Sequence, residues 1–270
     1  MEAQGAQTEE NMYERLKGKT AVITGASAGI GEAAARLFAE CGCNIAIGAR
    51  RTNKLAEIHA DIKRQYPHID IAAAVLDVQN PKMVEGFVSM VRDKFGTVNI
   101  LVNNAGLVRG LTPLAEAAEA DWRVMIETNI VGVIRMTQAM MPMLLASGDG
   151  HIVNVASLAG WYAYPNGGVY CATKAAVRFL SQAMRVEIVD KPIRLSVVSP
   201  GMVETEFSEV RFSGDKDKAK AVYHGVDPLI GQDIADCIAW AVSRPKHVNV
   251  DEILVTPQQQ GGIIRTFRRE

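Results

Sequence analysis

The chain has 270 residues, a formal net charge of −1 and 48% hydrophobic residues. A chain of this size can bury one large core, and its balanced charge gives no electrostatic case for a nucleic-acid partner. Four cysteines without a CxxC pair and five scattered histidines give no zinc spacing, so no metal is expected.

Unpaired cysteines accord with a reduced, cytoplasmic setting. The opening stretch MEAQGAQTEENMYERLKG is polar and acidic and lacks the apolar region of a secretory signal. Residues 1–17 are read as a flexible tail. No apolar run reads as long enough to cross a bilayer, so no membrane partner is expected.

From there, short apolar runs alternate with helix-like segments. TAVIT (Thr20 to Thr24) predicts a buried strand, EAAARLFAECG a helix, and NIAIGAR (Asn44 to Arg50) a second strand. KLAEIHADIKRQY is the next helix and DIAAAVLDV (Asp70 to Val78) the third strand. The helix PKMVEGFVSMVRDKFG opens on Pro81, a good first helical position. VNILVNNAG gives a fourth strand, the stretch from EADW to LLAS a long helix, and GHIVNVAS a fifth strand. GGVYCATKAAVRFLSQAMRVEI is a helix and IRLSVVSPG a sixth strand. A polar, partly helical stretch follows, then the helix GQDIADCIAWAVSRP and a final strand in NVDEILVTP.

Strands that are apolar throughout suit a parallel sheet covered on both faces. The β/α alternation predicts an α/β fold, a doubly wound parallel β-sheet with helices on both faces. No linker divides the chain, so residues 18–258 read as a single domain and 259–270 as a C-terminal tail.

TGASAGIG (Thr24 to Gly31) falls between the first strand and the first helix. Gly25, Gly29 and Gly31 suit a tight turn, close approach of backbone to a pyrophosphate, and close helix–strand packing. Ser27 and Ile30 lie within the same loop, and the helix N-terminus behind it offers free N–H groups to phosphate. The spacing GxxxGxG also fits a plain glycine turn, so the loop by itself leaves both readings open. About 20 residues on, a dinucleotide site for a bare ribose wants a carboxylate. Here the chain reads Ala49-Arg50-Arg51. Two guanidinium groups suit a 2′-phosphate by charge and by fork geometry, which favours NADP(H) over NAD(H). Asp77 and Val78 end the third strand, where an adenine edge or a simple strand cap would both fit.

TGASAGIG, LVNNAG (Leu101 to Gly106), Ser157, YCATK (Tyr170 to Lys174) and SPGMVET (Ser199 to Thr205), in this order, resemble the short-chain dehydrogenase/reductase family. The resemblance runs from about Lys19 to Pro257 and implies a Rossmann-type fold. It implies that Ser157 hydrogen-bonds the substrate oxygen, that Tyr170 is the acid/base, and that Lys174 holds the nicotinamide ribose and lowers the tyrosine pKa. Asn129 would keep a water continuing a proton relay to Lys174. Asn104, Ala105 and Gly106 would line the cofactor, and Pro200, Gly201, Val203 and Thr205 would frame its nicotinamide end. A homotetramer, or a dimer, formed through the helices around Asn129 and Tyr170 is also implied.

The residue chemistry runs parallel to the resemblance. A free tyrosine titrates at about 10, and a nearby ammonium favours its phenolate. Positions i and i+4 share a helix face, so Lys174 can lie beside Tyr170.

The segment of about 203–228, with GARRTNKLAEI and RPKHVNVDEILVTP, resembles the subgroup of NADP-dependent 3-hydroxy acid dehydrogenases. These act on serine, L-allo-threonine, 3-hydroxyisobutyrate or 3-hydroxypropionate, or reduce malonic semialdehyde. A small acidic substrate needs a cation, for which Arg211 is the candidate and Arg109 a weaker one. A 3-oxoacyl carrier-protein reductase or a broad carbonyl reductase shares the motif set. An NADP-sensing regulator or scaffold is the non-enzyme alternative, although such a protein is expected to lose Tyr170 or Lys174.

Overall fold

The computed structural model describes residues 13–212 and 214–269. The sheet-forming runs become β1 (Thr20–Thr24), β2 (Asn44–Ala49), β3 (Ile71–Val75), β4 (Ile100–Asn103), β5 (Gly150–Val155) and β6 (Ile193–Pro200). Two short strands, β7 (Val203–Glu204) and β8 (Leu229–Ile230), precede β9 (Glu252–Val255). The main sheet has seven strands in the order β3-β2-β1-β4-β5-β6-β9, every neighbour parallel. β1, β4, β5 and β6 are buried along their whole length, as continuous apolar runs require when helices cover both faces.

The helices are α1 (Gly29–Glu40), α2 (Thr52–Gln65), α3 (Pro81–Phe95), α4 (Glu119–Ile126), α5 (Gly132–Ala146), α6 (Gly168–Glu187), α7 (Phe207–Arg211), α8 (Lys216–Ala221) and α9 (Gly231–Val242). Phe38 of α1, Ile58 and Ile62 of α2, and Ile234 and Ile238 of α9 form one core. Phe87 of α3, Met136 and Met140 of α5, and Val177 of α6 form the other. After β3 the chain crosses back to the far side of β1, so connections leave β1 and β4 in opposite directions. The crevice at the carboxyl ends of these two strands is where such sheets bind ligands.

Three features differ from the sequence reading. The expected tail up to residue 17 lies outside the described residues only as far as residue 12. Within the rest, Leu16 is fully buried in the first core, and Cys43 Sγ donates to its carbonyl at 3.1 Å. At the other end, residues 259–269 fold back instead of trailing. Gln259 donates to the Gly225 carbonyl (3.0 Å), accepts from Asp227 N (2.8 Å), and takes Phe267 N on its own carbonyl (2.9 Å). Gln260 accepts from Met202 N at 2.9 Å and forms an antiparallel bridge with Thr266. A polar run gives no warning of this, because the groups it satisfies belong to a distant segment.

The third difference concerns the stretch Glu119–Ala146. By length and composition this 28-residue helix is apolar enough to cross a membrane, contrary to the expectation that no run would be. Its apolar residues Met136, Met140 and Leu144 face the second core, which accounts for the composition. The helix is also not uniform, since it widens to a π-helical turn over Glu127–Val131.

Phe87 is 2% exposed and sits over Gly48, where a Cβ would stand 2.8 Å from its ring. Phe87→Ala is expected to lower stability by about 3–5 kcal/mol. Urea unfolding followed by circular dichroism should show the midpoint fall.

Candidate active site

A cavity of about 550 Å³ runs along the carboxyl ends of β1, β4, β5 and β6. At one end stands the glycine loop. Thr24 Oγ1 accepts from Asn104 N (3.1 Å) and Ala105 N (3.0 Å), while Asn104 Nδ2 donates to the carbonyls of Thr24 (2.9 Å) and Gly25 (3.3 Å). This clasp works only because the glycines are bare. A Cβ on Gly25 would lie 2.9 Å from Ala105 Cα, and Gly25 has φ +67° besides. On Gly31 it would lie 2.5 Å from both Asn104 Nδ2 and the Gly25 carbonyl. Gly25, Ser27, Gly29 and Ile30 line the cavity, whereas Gly31 lies behind the loop as a packing glycine. α1 starts at Gly29 with no side chain capping it, which leaves its first amides for an anion.

Arg50 and Arg51 reach the rim from the end of β2, and Asp77 and Val78 from the end of β3. Arg51 is anchored to the glycine loop: Nε donates to Ser27 Oγ at 3.2 Å and Nη2 to the Ser27 carbonyl at 3.0 Å. Arg50 is exposed and has no hydrogen bond or ion pair to the described residues. Asp77 accepts from Gln79 N at 3.0 Å, so it both closes the turn after β3 and faces the cavity. A cradle of bare amides at one end and two arginines beside it fits a phosphorylated dinucleotide.

Further along lie Asn104, Ala105, Gly106, Ser157, Tyr170 and Lys174, then Pro200, Gly201, Val203 and Thr205 on the β6 side. Ser157 follows β5 in extended backbone, and its Oγ accepts from Ala159 N at 3.1 Å. The same hydroxyl donates to the Pro200 carbonyl at 3.5 Å and lies near enough to the Tyr170 hydroxyl to favour its ionised form. Tyr170 and Lys174 occupy successive turns of one stripe of α6, both buried. The Lys174 ammonium donates to the Val155 carbonyl at 2.9 Å and lies 5.9 Å from the Tyr170 ring centroid.

Burial pushes the Tyr170 hydroxyl well above its ordinary range, against the opposing pull of Ser157 and Arg211. Burial likewise lowers Lys174 to about 8. The expectation that Lys174 pulls the tyrosine down is therefore not met in this structure. Both groups are pressed toward their neutral forms, and the ammonium is turned to a carbonyl.

Asn129 sits in the π-helical turn and does not line the cavity. Its Nδ2 donates to the Leu107 carbonyl (2.9 Å) and to Thr173 Oγ1 (3.0 Å), and its Oδ1 accepts from Leu107 N (2.9 Å). A Cβ on Gly106 would stand 3.3 Å from Asn129 Oδ1 and 3.4 Å from Lys174 Nζ. The bare Gly106 thus leaves a gap between the two polar side chains.

The sequence reading missed a supporting network one turn further along α6. Arg178 continues the Tyr170–Lys174 stripe at the same four-residue spacing, which was the available signal. Its guanidinium lies 3.6 Å over the Trp161 ring, forks onto Glu252 (2.8 and 3.0 Å), and donates to the Gly160 carbonyl (3.1 Å). Glu252 also accepts from Ser199 Oγ and Trp161 Nε1, each at 2.7 Å. Burial would raise the Glu252 carboxyl, but these donors outweigh it and hold it below the usual range. The network fixes the turn that carries Ser157. A Cβ on Gly160 would lie 2.7 Å from the Lys174 carbonyl, so that turn rests directly on α6.

The covering segment supplies the remaining wall. Phe207 of α7 meets the Tyr170 ring at 5.9 Å between centroids. Arg211, also on α7, places Cζ 5.9 Å from the Tyr170 ring centroid and donates through Nη2 to Tyr164 Oη at 3.2 Å, while its buried Nε has no partner among the described residues. Arg109 does not line the cavity, and it donates to the Val210 carbonyl at 3.4 Å, bracing α7 from behind.

Fold and cavity together define an oxidoreductase built on a dinucleotide-binding sheet. The chain belongs to the short-chain dehydrogenase family, whose sequence pattern matches residues 19–216. It is 39% identical over 257 residues to an NADP-dependent 3-hydroxy acid dehydrogenase of Schizosaccharomyces pombe, covering 95% of this chain and 99% of that one. It is 38% identical over 240 residues to sulfoacetaldehyde reductase 2 of Chromohalobacter salexigens, covering 88% and 94%. Among solved structures, the closed form of a serine dehydrogenase complexed with NADP+ superposes with a TM-score of 0.86 at 34% identity, covering 93% of this chain and all (100%) of the other.

The Lys174 shift has a direct consequence for the ligand-free protein. Its folded value of about 8 lies below the ordinary 10.5, so burying the ammonium costs stability below pH 8. That cost fades as pH rises from about 8 to 10.5, for a gain of roughly 3 kcal/mol. Unfolding free energies of the wild type minus those of Lys174→Met should rise across this window, and a flat difference would contradict it.

Proposed function

We propose that the protein is an NADP-dependent dehydrogenase interconverting a small 3-hydroxy acid, of the serine, L-allo-threonine or 3-hydroxypropionate type, and its carbonyl form. The observation that carries the substrate class is Arg211. It is a cation beside Tyr170, with a buried Nε lacking a partner among the described residues, in the same cavity as Ser157. A carboxylate on the substrate would give this guanidinium an anionic partner and set the neighbouring carbon near the tyrosine. The 3-hydroxy acid and serine dehydrogenases among the similar proteins support the same reading.

Gly25, Ser27, Gly29 and Ile30 would hold the pyrophosphate with the α1 amides. Arg50 and Arg51 would take the 2′-phosphate, and Asp77 and Val78 would meet the adenine. Asn104 to Gly106 would line the middle of the cofactor, and Pro200, Gly201, Val203 and Thr205 its nicotinamide end. NADP(H), when bound, supplies or accepts the hydride.

Ser157 holds the substrate oxygen while Tyr170 exchanges a proton with it. Because burial keeps Tyr170 protonated at neutral pH, it starts as a proton donor in the reduction direction. Lys174 would hold the ribose hydroxyls and return the proton, with the Gly106 gap leading toward Asn129. Phe179, Val186 and Val189 on the outer face of α6 and just beyond it are 66–75% exposed, which supports a homo-oligomer, a dimer or a tetramer, packed through this helix.

Tyr170→Phe is expected to cut turnover by about 10²–10⁴-fold or more while leaving NADPH binding intact. Steady-state absorbance at the nicotinamide band and equilibrium titration measure the two quantities. If Tyr170→Phe keeps near-normal turnover, the mechanism fails.

Arg211→Ala should raise KM for a carboxylate substrate about ten- to a hundredfold, the scale of a hydrogen bond to a charged group. An unchanged KM removes the substrate assignment. A panel of L-serine, 3-hydroxypropionate and an acetoacetyl thioester, each with NADP(H) and NAD(H), tests the activity itself.

A further inference from the structure

Arg51, assigned above to the 2′-phosphate, is already engaged by an anion from its own chain. Nε and Nη2 are spent on Ser27, and Nη1 donates to Glu206 Oε2 at 2.6 Å. Glu206 immediately precedes α7. Its neighbour Thr205 lies against the glycine loop, since a Cβ on Gly29 would stand 3.0 Å from Thr205 Cγ2. Residues 205–206 thus stretch from the glycine loop to Arg51, across the phosphate end of the groove, and both line the cavity. Lys54 also feels the Glu206 charge, so the carboxylate sits in a small basic cluster.

We infer that Glu206 is an internal competitor for the 2′-phosphate site. The carboxylate takes Nη1, the one Arg51 nitrogen that the loop does not bond, and a 2′-phosphate must compete with it there. Anchoring by Ser27 keeps the guanidinium aimed without Glu206, so losing the carboxylate does not disorder Arg51. Nη1 has two N–H groups, but two anions crowded against it repel each other. Displacement also releases the residue that starts α7, the helix carrying Phe207 and Arg211. Glu206 is therefore a specificity-determining residue that weakens binding of the 2′-phosphorylated cofactor and ties it to the placement of the substrate wall.

This inference rests on the NADP reading, and the experiment separates the two. Adenosine 2′,5′-bisphosphate and adenosine 5′-monophosphate are titrated calorimetrically into the full chain at low salt. If the wild type shows no preference for the bisphosphate, the NADP reading fails and the inference falls with it.

With that preference present, Glu206→Gln is expected to tighten bisphosphate binding about two- to fivefold, the scale of an exposed ion pair. Monophosphate affinity should stay unchanged. The gain should shrink at high salt, where the charges are screened. In an Arg51→Ala background the substitution should have no effect. Glu206→Ala provides the same reading should the glutamine variant fail to fold. Equal change for both probes, no change, weaker bisphosphate binding, or a gain that persists without Arg51 overturns the inference.

Discussion

The groove depends on how closely β1 and β4 are joined at their carboxyl ends. Thr24 and Asn104 exchange hydrogen bonds across that join, each satisfying backbone groups that strand pairing leaves behind. The approach is too close for any side chain at Gly25 or Gly31. With the loop pinned there, α1 must begin at Gly29 with its amides facing the crevice. Arg51, tied to Ser27, follows from the same anchor.

The reactive end is built on a stripe of α6. Tyr170, Lys174 and Arg178 recur every four residues, and all are buried. Burial would be costly for three such groups without partners. Ser157 serves the tyrosine, the Val155 carbonyl the lysine, and Glu252 the arginine. The tyrosine is held protonated and the lysine is brought down to about 8, closer to proton exchange. The third is a closed ion pair whose ring partner, Trp161, and carbonyl partner, Gly160, lie in the serine-bearing turn. The stripe thus grades from chemistry to support within two helical turns.

The covering segment links the two ends. Thr205 touches the glycine loop, Glu206 reaches Arg51, Phe207 packs on Tyr170, and Arg211 faces the reactive end. The folded-back residues 259–269 hold this segment through the Gln259 and Gln260 side chains, which bond backbone groups of Met202, Gly225 and Asp227. Its conformation is therefore set by contacts with other parts of the chain more than by its own short helices, α7 and α8.

The sequence by itself determined the alternation of strands and helices, because continuous apolar runs and glycine turns are local signals. It also determined the glycine loop, the arginines after β2 and the Tyr170–Lys174 pair, whose spacing is a local property of a helix. Only the tertiary structure decided which glycines face the cavity and which pack behind it. It alone showed that Asn129 is bonded to Leu107 and that burial raises Tyr170 against the pull of Ser157 and Arg211. It placed Arg211 at the reactive end and Arg109 behind it, and it turned an expected tail into a brace. These outcomes depend on which distant groups come within bonding distance and on how much water is excluded. Neither quantity is carried by any short stretch of residues.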